Sequence, residues 1–191
     1  MIDKGSDANI VSGDGLNVYR ERRIPGPAGP VLRIFVGTLK ITISQKGVAI
    51  GEFTPDIKTL EQLVTQYKPA MKGDLVLPRL IIDSGVLFDP GKFGLRQGAA
   101  LEFKKVADFV NLFSPSKLVV EGHTDGDGDD DANQRLSAKR ATAVKQSLVD
   151  QYGIQAAMIE AMGYGEKRPL VNNDTPENKA LNQRIEVIVW E

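Results

Sequence analysis

From Val31 to Phe53 apolar and polar residues alternate, with β-branched residues on the apolar beats (Val31, Ile34, Val36, then Ile41, Ile43, Val48, Ile50). That period predicts two or three short antiparallel strands, and Gln45-Lys46-Gly47 supplies a turn with a glycine free to take positive φ. The period then changes. In "TPDIKTLEQLVTQYK" Thr54 can cap a helix, Pro55 suits its first position, and Leu60, Leu63, Val64 and Tyr67 share one face. Residues 31–79 therefore read as a small β-hairpin-plus-helix element whose role the pattern leaves open. Residues 1–30 show no apolar periodicity and read as an extended or flexible arm, with "IPGPAGP" (24–30) a polyproline-biased connector.

From about Leu80 strand-like and helix-like stretches alternate. "LIIDSGVLFD" reads as a strand. Residues 95–113 read as an amphipathic helix with Leu101, Val106, Phe109, Val110 and Phe113 inward, stopped by Ser114-Pro115. "KLVVEGH" (117–123) reads as a buried strand. Residues 132–152 form a second helix closed by Gly153 in a left-handed cap. "MIEAMGYG" (158–165) and "RIEVIVW" (184–190) complete the set as strands, separated by a polar loop, 166–182. The order β-α-β-α-β-β predicts an α+β domain over 80–191, with two helices packed on a mixed sheet.

Composition narrows the function classes. Twenty-four basic residues against twenty-five acidic ones give a formal charge of -1, which offers no support for a nucleic-acid partner. With no cysteine, disulfides, thiol nucleophiles and zinc ribbons are excluded. No apolar run approaches the about 18 residues of a membrane-spanning helix, and the first ten residues lack the features of a secretory signal. A cytoplasmic protein and a mature or truncated envelope protein both fit these facts.

The densest chemistry lies in "VEGHTDGDGDDDANQRLSAKR" (120–140). Asp125, Asp127 and Asp129 have the first three spacings of a calcium loop, but the glycine and the bidentate glutamate due at the sixth and twelfth positions are Asp130 and Leu136. Starting from Asp127 gives Ala132 and Ala138, so the calcium loop fails in both registers. A plainer reading makes Asp130 or Asp131 the helix cap and Gly126 and Gly128 turn residues. That leaves Asp125, at the strand end, and Arg140, which shares a helical face with Asn133, Leu136 and Ser137. The pair is either a structural salt bridge or the two poles of a pocket for a zwitterion, with the carboxylate taking an ammonium and the guanidinium a carboxylate. His123, with no second histidine and no cysteine, reads as a strand-end support and not a zinc ligand. No nucleophile elbow is present, and a metal-dependent hydrolase built on the aspartates is the least favoured reading.

Four blocks in order give the chain a resemblance: Gly-His-Thr-Asp (122–125), Asn-x-x-Leu-Ser-x-x-Arg-Ala (133–141), Gly-Tyr-Gly-Glu-x-x-Pro (163–169) and Asn-x-Arg (182–184) before a last strand. Residues 80–191 resemble the OmpA-like peptidoglycan-binding domain of outer-membrane porins, peptidoglycan-associated lipoproteins and MotB-type stator subunits. The resemblance implies a noncatalytic site, without cofactor or metal, for the diaminopimelate-containing stem peptide of peptidoglycan. Asp125 falls at the position that holds the ammonium and Arg140 at the one that grips the carboxylate. Thr124, Asn133, Leu136, Phe88, Asp89 and Arg184 match neighbouring site positions. It also implies a periplasmic tether between an envelope protein and the cell wall, membrane-associated through a segment absent from this chain. The alternative is a stator-like or secretion-system subunit, a homodimer or a member of a motility or secretion complex, whose wall-binding domain is regulated by residues 1–79. Two departures stand out: Gln183 replaces the first arginine of the family's Asn-Arg-Arg, and the loop 125–131 is unusually acidic.

Overall fold

The computed structural model describes residue 2 and residues 8–23, 31–55 and 74–190, and the chain divides into two compact units, Met1–Arg79 and Leu80–Glu191. In the first, β1 (Gly15–Arg23), β2 (Val31–Gln45) and β3 (Val48–Pro55) form an antiparallel meander, and the start of β4 (Leu75–Asp83) pairs with β1 from Leu16↔Pro78 to Tyr19↔Leu75. The β2–β3 turn is Lys46-Gly47, with Gly47 at φ 75°. Leu16, Val18, Val36, Leu39, Ile41 and Ala49 make the core.

Two expectations for this region need correction. Residues 15–23, assigned to a pattern-free arm, form a strand whose alternation is interrupted by buried and paired polar residues. Asn17 is buried and donates to the Tyr19 hydroxyl, and Arg20 makes a bidentate pair with Asp74 at 2.8 Å on each arm. Thr54 and Pro55 do not open a helix; they are the last rungs of β3, opposite Thr38 and Gly37. The helix expected beyond them and the "IPGPAGP" connector lie outside the described residues.

The second unit has the expected order of strands and helices. After β4 come a single helical turn, α1 (Ser84–Leu87), then α2 (Ala100–Phe113), β5 (Lys117–His123), α3 (Asp130–Tyr152), β6 (Ile159–Gly165), α4 (Pro176–Asn182) and β7 (Arg184–Trp190). β5 is central, parallel to β6 and antiparallel to β7, which makes the sheet mixed. Strand alternation sends Leu118, Val120, Ile185, Val187 and Val189 to one face, where they meet Phe103, Val106 and Val110 of α2 and Ala141, Val144 and Leu148 of α3.

Three local assignments shift. The expected strand 80–89 stops at Asp83, whose carboxylate accepts from the Gly85 amide at 2.7 Å and turns the chain into α1. Phe88 and Asp89 thus lie beyond the strand and past that turn. On α2 the inward stripe runs Phe103-Val106-Val110, and Leu101 is 65% exposed. The loop 166–182 contains α4, started by a Thr175 cap and Pro176 at its first turn.

The seating of α3 places the site. Gly122 and Gly163 are register partners on β5 and β6. A Cβ on Gly122 would fall on the Ser137 carbonyl oxygen, and one on Gly163 on the Ala138 nitrogen. The two glycines open a seam in which α3 lies against strand backbone. Ser137, fully buried there, donates to the Gln134 carbonyl and accepts from the Gly165 amide. Asn133 and Arg140, about one turn to either side of that contact, are carried to the ends of the strands.

Candidate ligand site at the strand–helix corner

β5 ends at His123, and the Thr124 amide donates to Gly165 O at 3.0 Å, which turns the chain out over the end of β6. Asp125 is 8% exposed. Its Oδ1 accepts from the Asp127 amide at 3.1 Å and its Oδ2 from Gln183 Nε2 at 2.5 Å. Asn133 shapes the loop: its Nδ2 donates to Asp127 O at 2.9 Å, to Asp125 O at 3.4 Å and to Glu166 Oε2 at 3.3 Å.

The rest of the acidic run has its own structural uses. Asp129, and not Asp130 or Asp131, caps α3, accepting from the Ala132 amide at 2.8 Å. Asp130 and Asp131 occupy the first turn, where they complement the positive end of the helix. Asp127 is paired with Lys179 at 2.7 Å, and the Gly126 amide donates to Asn173 Oδ1 at 3.1 Å. Among the described residues, the run Asp125–Asp131 brings no three ligand atoms within 4.8 Å of one another.

The opposite pole is Arg140, 3% exposed. Its Nε donates to Lys92 O at 2.9 Å, Nη1 to Ser84 Oγ at 3.0 Å and Nη2 to Asp89 O at 3.4 Å, and its Cζ lies 5.1 Å from the Phe88 ring centre. Every one of these partners is neutral. Among the described residues no carboxylate lies within ion-pair distance of the guanidinium, so the structural Asp125–Arg140 salt bridge is not formed. The two still feel each other. Burial lowers the Arg140 pKa, and the charge on Asp125 opposes that shift.

Of the residues singled out in the sequence, Asp125, Thr124 and Asn133 come together at one pole, and Arg140 with Phe88 at the other. Asp89 contributes its backbone carbonyl, while its half-exposed carboxylate faces Lys92 at 3.5 Å and Arg96 at 3.6 Å. Leu136 is half-buried on the α3 face between Asn133 and Arg140. Arg184 is elsewhere: it is 3% exposed and donates to Glu186 Oε1, Asn182 O and Arg168 O. The Thr124 hydroxyl is buried and has no hydrogen-bond partner among the described residues.

Sequence reasoning missed Ser84, Gln183 and Asn182. Ser84 gave no signal, because the segment holding it was read as strand. Gln183 stood out only as a missing charge. Asn182, fully buried, was visible as the asparagine of the last block. Its Oδ1 accepts from the Leu170 and Val171 amides, and its Nδ2 donates to Val171 O and Asn173 Oδ1. Through Asn173 it fixes the backbone of the acidic loop.

On the sheet face away from α2 and α3 lies a second ionic group. Glu121 and Glu186 are direct cross-strand partners, an arrangement of like charges that needs compensation. Arg184 Nε meets Glu186 Oε1 at 2.7 Å, and Arg168 Nη1 lies 3.4 Å from both Glu121 oxygens. His123, 1% exposed, sits 3.6 Å from Glu121 Oε2 and stacks on Tyr164 at 5.6 Å. Arg168 covers the Tyr164 ring at 3.6 Å. Glu121, His123 and Glu186 are close enough to share an ion. Two arginines already balance the two carboxylates, and burial together with Arg184 lowers the His123 pKa, favouring the neutral ring.

The family model described as "OmpA family" matches residues 87–183, which contain both poles. Outer membrane porin F of Pseudomonas aeruginosa is 41% identical over 104 residues, 54% of this chain and 30% of that protein. Motility protein B of Bacillus subtilis is 28% identical over 144 residues, 73% of this chain and 53% of that protein. The chain therefore spans about a third to about a half of these curated relatives. Among solved structures, a MotB-like protein from Desulfovibrio vulgaris superposes with a TM-score of 0.53 at 29% identity, covering 60% of this chain and 73% of that one.

Proposed function

Because the chain belongs to the OmpA family, we propose that its second unit is a noncatalytic binding module for peptidoglycan, which ties an envelope protein or complex to the cell wall in the periplasm. The ligand is the diaminopimelate of the stem peptide, with its ammonium on Asp125 and its carboxylate on Arg140. The observation that carries this reading is the guanidinium of Arg140, buried against neutral oxygens only. A desolvated cation without a counter-charge is costly, and a ligand carboxylate is the group that completes it. The partnerless hydroxyl of Thr124, next to Asp125, supplies a further donor for the same ligand. Arginine is a poor proton carrier at any ordinary pH, so the pair suits holding a zwitterion better than acid–base chemistry.

The test is co-sedimentation of the protein with purified peptidoglycan sacculi. Wild type pellets with the wall, whereas Asp125→Ala and Arg140→Ala stay in the supernatant. Equal retention of all three would remove the site assignment.

A second reading is favoured by one observation: the match to motility protein B extends over more residues than the second unit contains. In that reading the first unit takes part in assembly or regulation, as in a stator-like or secretion-system subunit. Solution mass distinguishes the two. A homodimer supports assembly through this chain, and a monomer at all concentrations supports a simple tether.

A further inference from the structure

We infer that Gln183 sets the charge this pocket accepts, and that the pocket prefers stem peptides whose neighbouring carboxylates are amidated. The inference rests on the binding reading given above. Gln183 Nε2 donates to Asp125 Oδ2, and the other carboxylate oxygen takes the Asp127 amide. Both donors are neutral, so Asp125 is oriented without being neutralised. Arg140 is likewise held by neutral oxygens. The two poles carry one charge each and sum to zero, which matches an amino acid head group with one ammonium and one carboxylate.

Position also matters. Gln183 directly follows α4, whose last residue, Asn182, is fixed by its bonds to Leu170, Val171 and Asn173, so the amide is held where it is. An arginine here would set a second cation against Asp125 and leave the pocket with a net positive charge. That pocket would welcome an additional carboxylate. With glutamine, an extra carboxylate near the Asp125 pole meets Asp125 itself and the exposed Asp129, Asp130 and Asp131 of the helix start, with Asp127 already paired to Lys179. An amide in place of that carboxylate meets no such repulsion.

The experiment is calorimetric titration of the full chain with two synthetic tripeptides, L-alanyl-γ-D-glutamyl-diaminopimelate with the glutamate α-carboxyl either free or amidated. Wild type should bind the amidated peptide about three-fold more tightly at low salt, the size of a like-charge repulsion across roughly 8 Å of water with smaller additions from the acidic run. The gap should narrow as salt shortens the screening length. Gln183→Arg should close or reverse the preference. Gln183→Ala should weaken both peptides alike, because it removes the oriented donor and leaves the charge of the pocket unchanged. Thermal melts of both variants confirm that they are folded. If wild type binds both peptides equally, or Gln183→Arg leaves the ratio unchanged while Asp125→Ala still abolishes binding, the role given to Gln183 is wrong and the site stands. If wild type binds neither peptide, the binding reading falls and the inference falls with it.

Discussion

Replacing Arg140 by methionine, which keeps an unbranched stem and removes the guanidinium and its charge, should separate stability from binding. In the folded protein the guanidinium makes two well-placed hydrogen bonds, at 2.9 and 3.0 Å, and a long one at 3.4 Å. Losing them costs about 1–3 kcal/mol, and less where the Ser84 hydroxyl turns to another acceptor. Against that, the variant no longer buries a cation that lacks an anionic partner, a burden of several kcal/mol in an interior site. The two terms nearly cancel, so Arg140→Met should shift the unfolding free energy by about 1 kcal/mol or less in either direction. Ligand binding has no such cancellation. A ligand carboxylate deprived of its cation should lose about 3 kcal/mol, roughly a hundred-fold in affinity. Urea denaturation gives the first number and calorimetric titration with the diaminopimelate tripeptide the second. A loss of more than about 4 kcal/mol of stability would refute the reasoning, since Arg140 would then be a structural tie that tolerates no substitution.

Three further outcomes follow from the other polar networks. Arg184→Met should destabilise the second unit by about 3–5 kcal/mol, because Glu186 is left charged and buried opposite Glu121; adding Glu186→Gln should recover most of that loss in the same denaturation assay. His123 has a folded pKa below its ordinary 6.5, with burial the main cause. The folded state therefore binds fewer protons than the unfolded chain. The contribution of His123 is full above about pH 6.5 and is lost as pH falls from there through the folded pKa, so melting temperature should drop on that side and His123→Asn should flatten the slope. Asn182→Ala should accelerate hydrogen exchange at the Leu170 and Val171 amides, which lose their shared acceptor, while the amides of β5 stay protected. Unchanged exchange at those two positions would show that the loop is held by something else.

The part of the fold legible in the sequence is the part where one physical signal dominates. The strands 117–123 and 184–190 carry clustered apolar β-branched residues (Val119, Val120; Ile185, Val187, Ile188, Val189), the strand over 159–165 is a short segment bounded by glycine, and α3 is closed by a glycine that takes φ 67°. Where two signals compete, the reading failed. In β1, Asn17 is buried with Tyr19 as a partner and Arg20 is paired with Asp74, 54 residues away, so polar residues break the apolar alternation. Asp83 ends β4 early by capping a turn, an interaction between side chain and backbone that apolar periodicity does not register. The same division runs through the site. Asp125 and Arg140 were visible because a strand end and a helix face put them in register. Gln183 and Ser84 were not, because their roles depend on contacts 58 and 56 residues away in sequence. Arg184 was assigned to the site because it matches the second arginine of the family's Asn-Arg-Arg, whereas in the structure its side chain is held by Glu186, Asn182 and Arg168.

That separation in sequence bears on when, during folding, the pocket comes into being. Asp125 and its α3 neighbours are local to one another and can approach early. The second donor to Asp125, Gln183, arrives only with the segment leading into β7, and the acceptors for Arg140, on Ser84, Asp89 and Lys92, only when the segment after β4 docks. Closing such long loops is slow compared with forming a helix or a local turn. The two-poled pocket therefore needs segments from three distant parts of the sequence docked at once, and a second unit lacking any of them has the charges without the geometry that would let them hold a ligand.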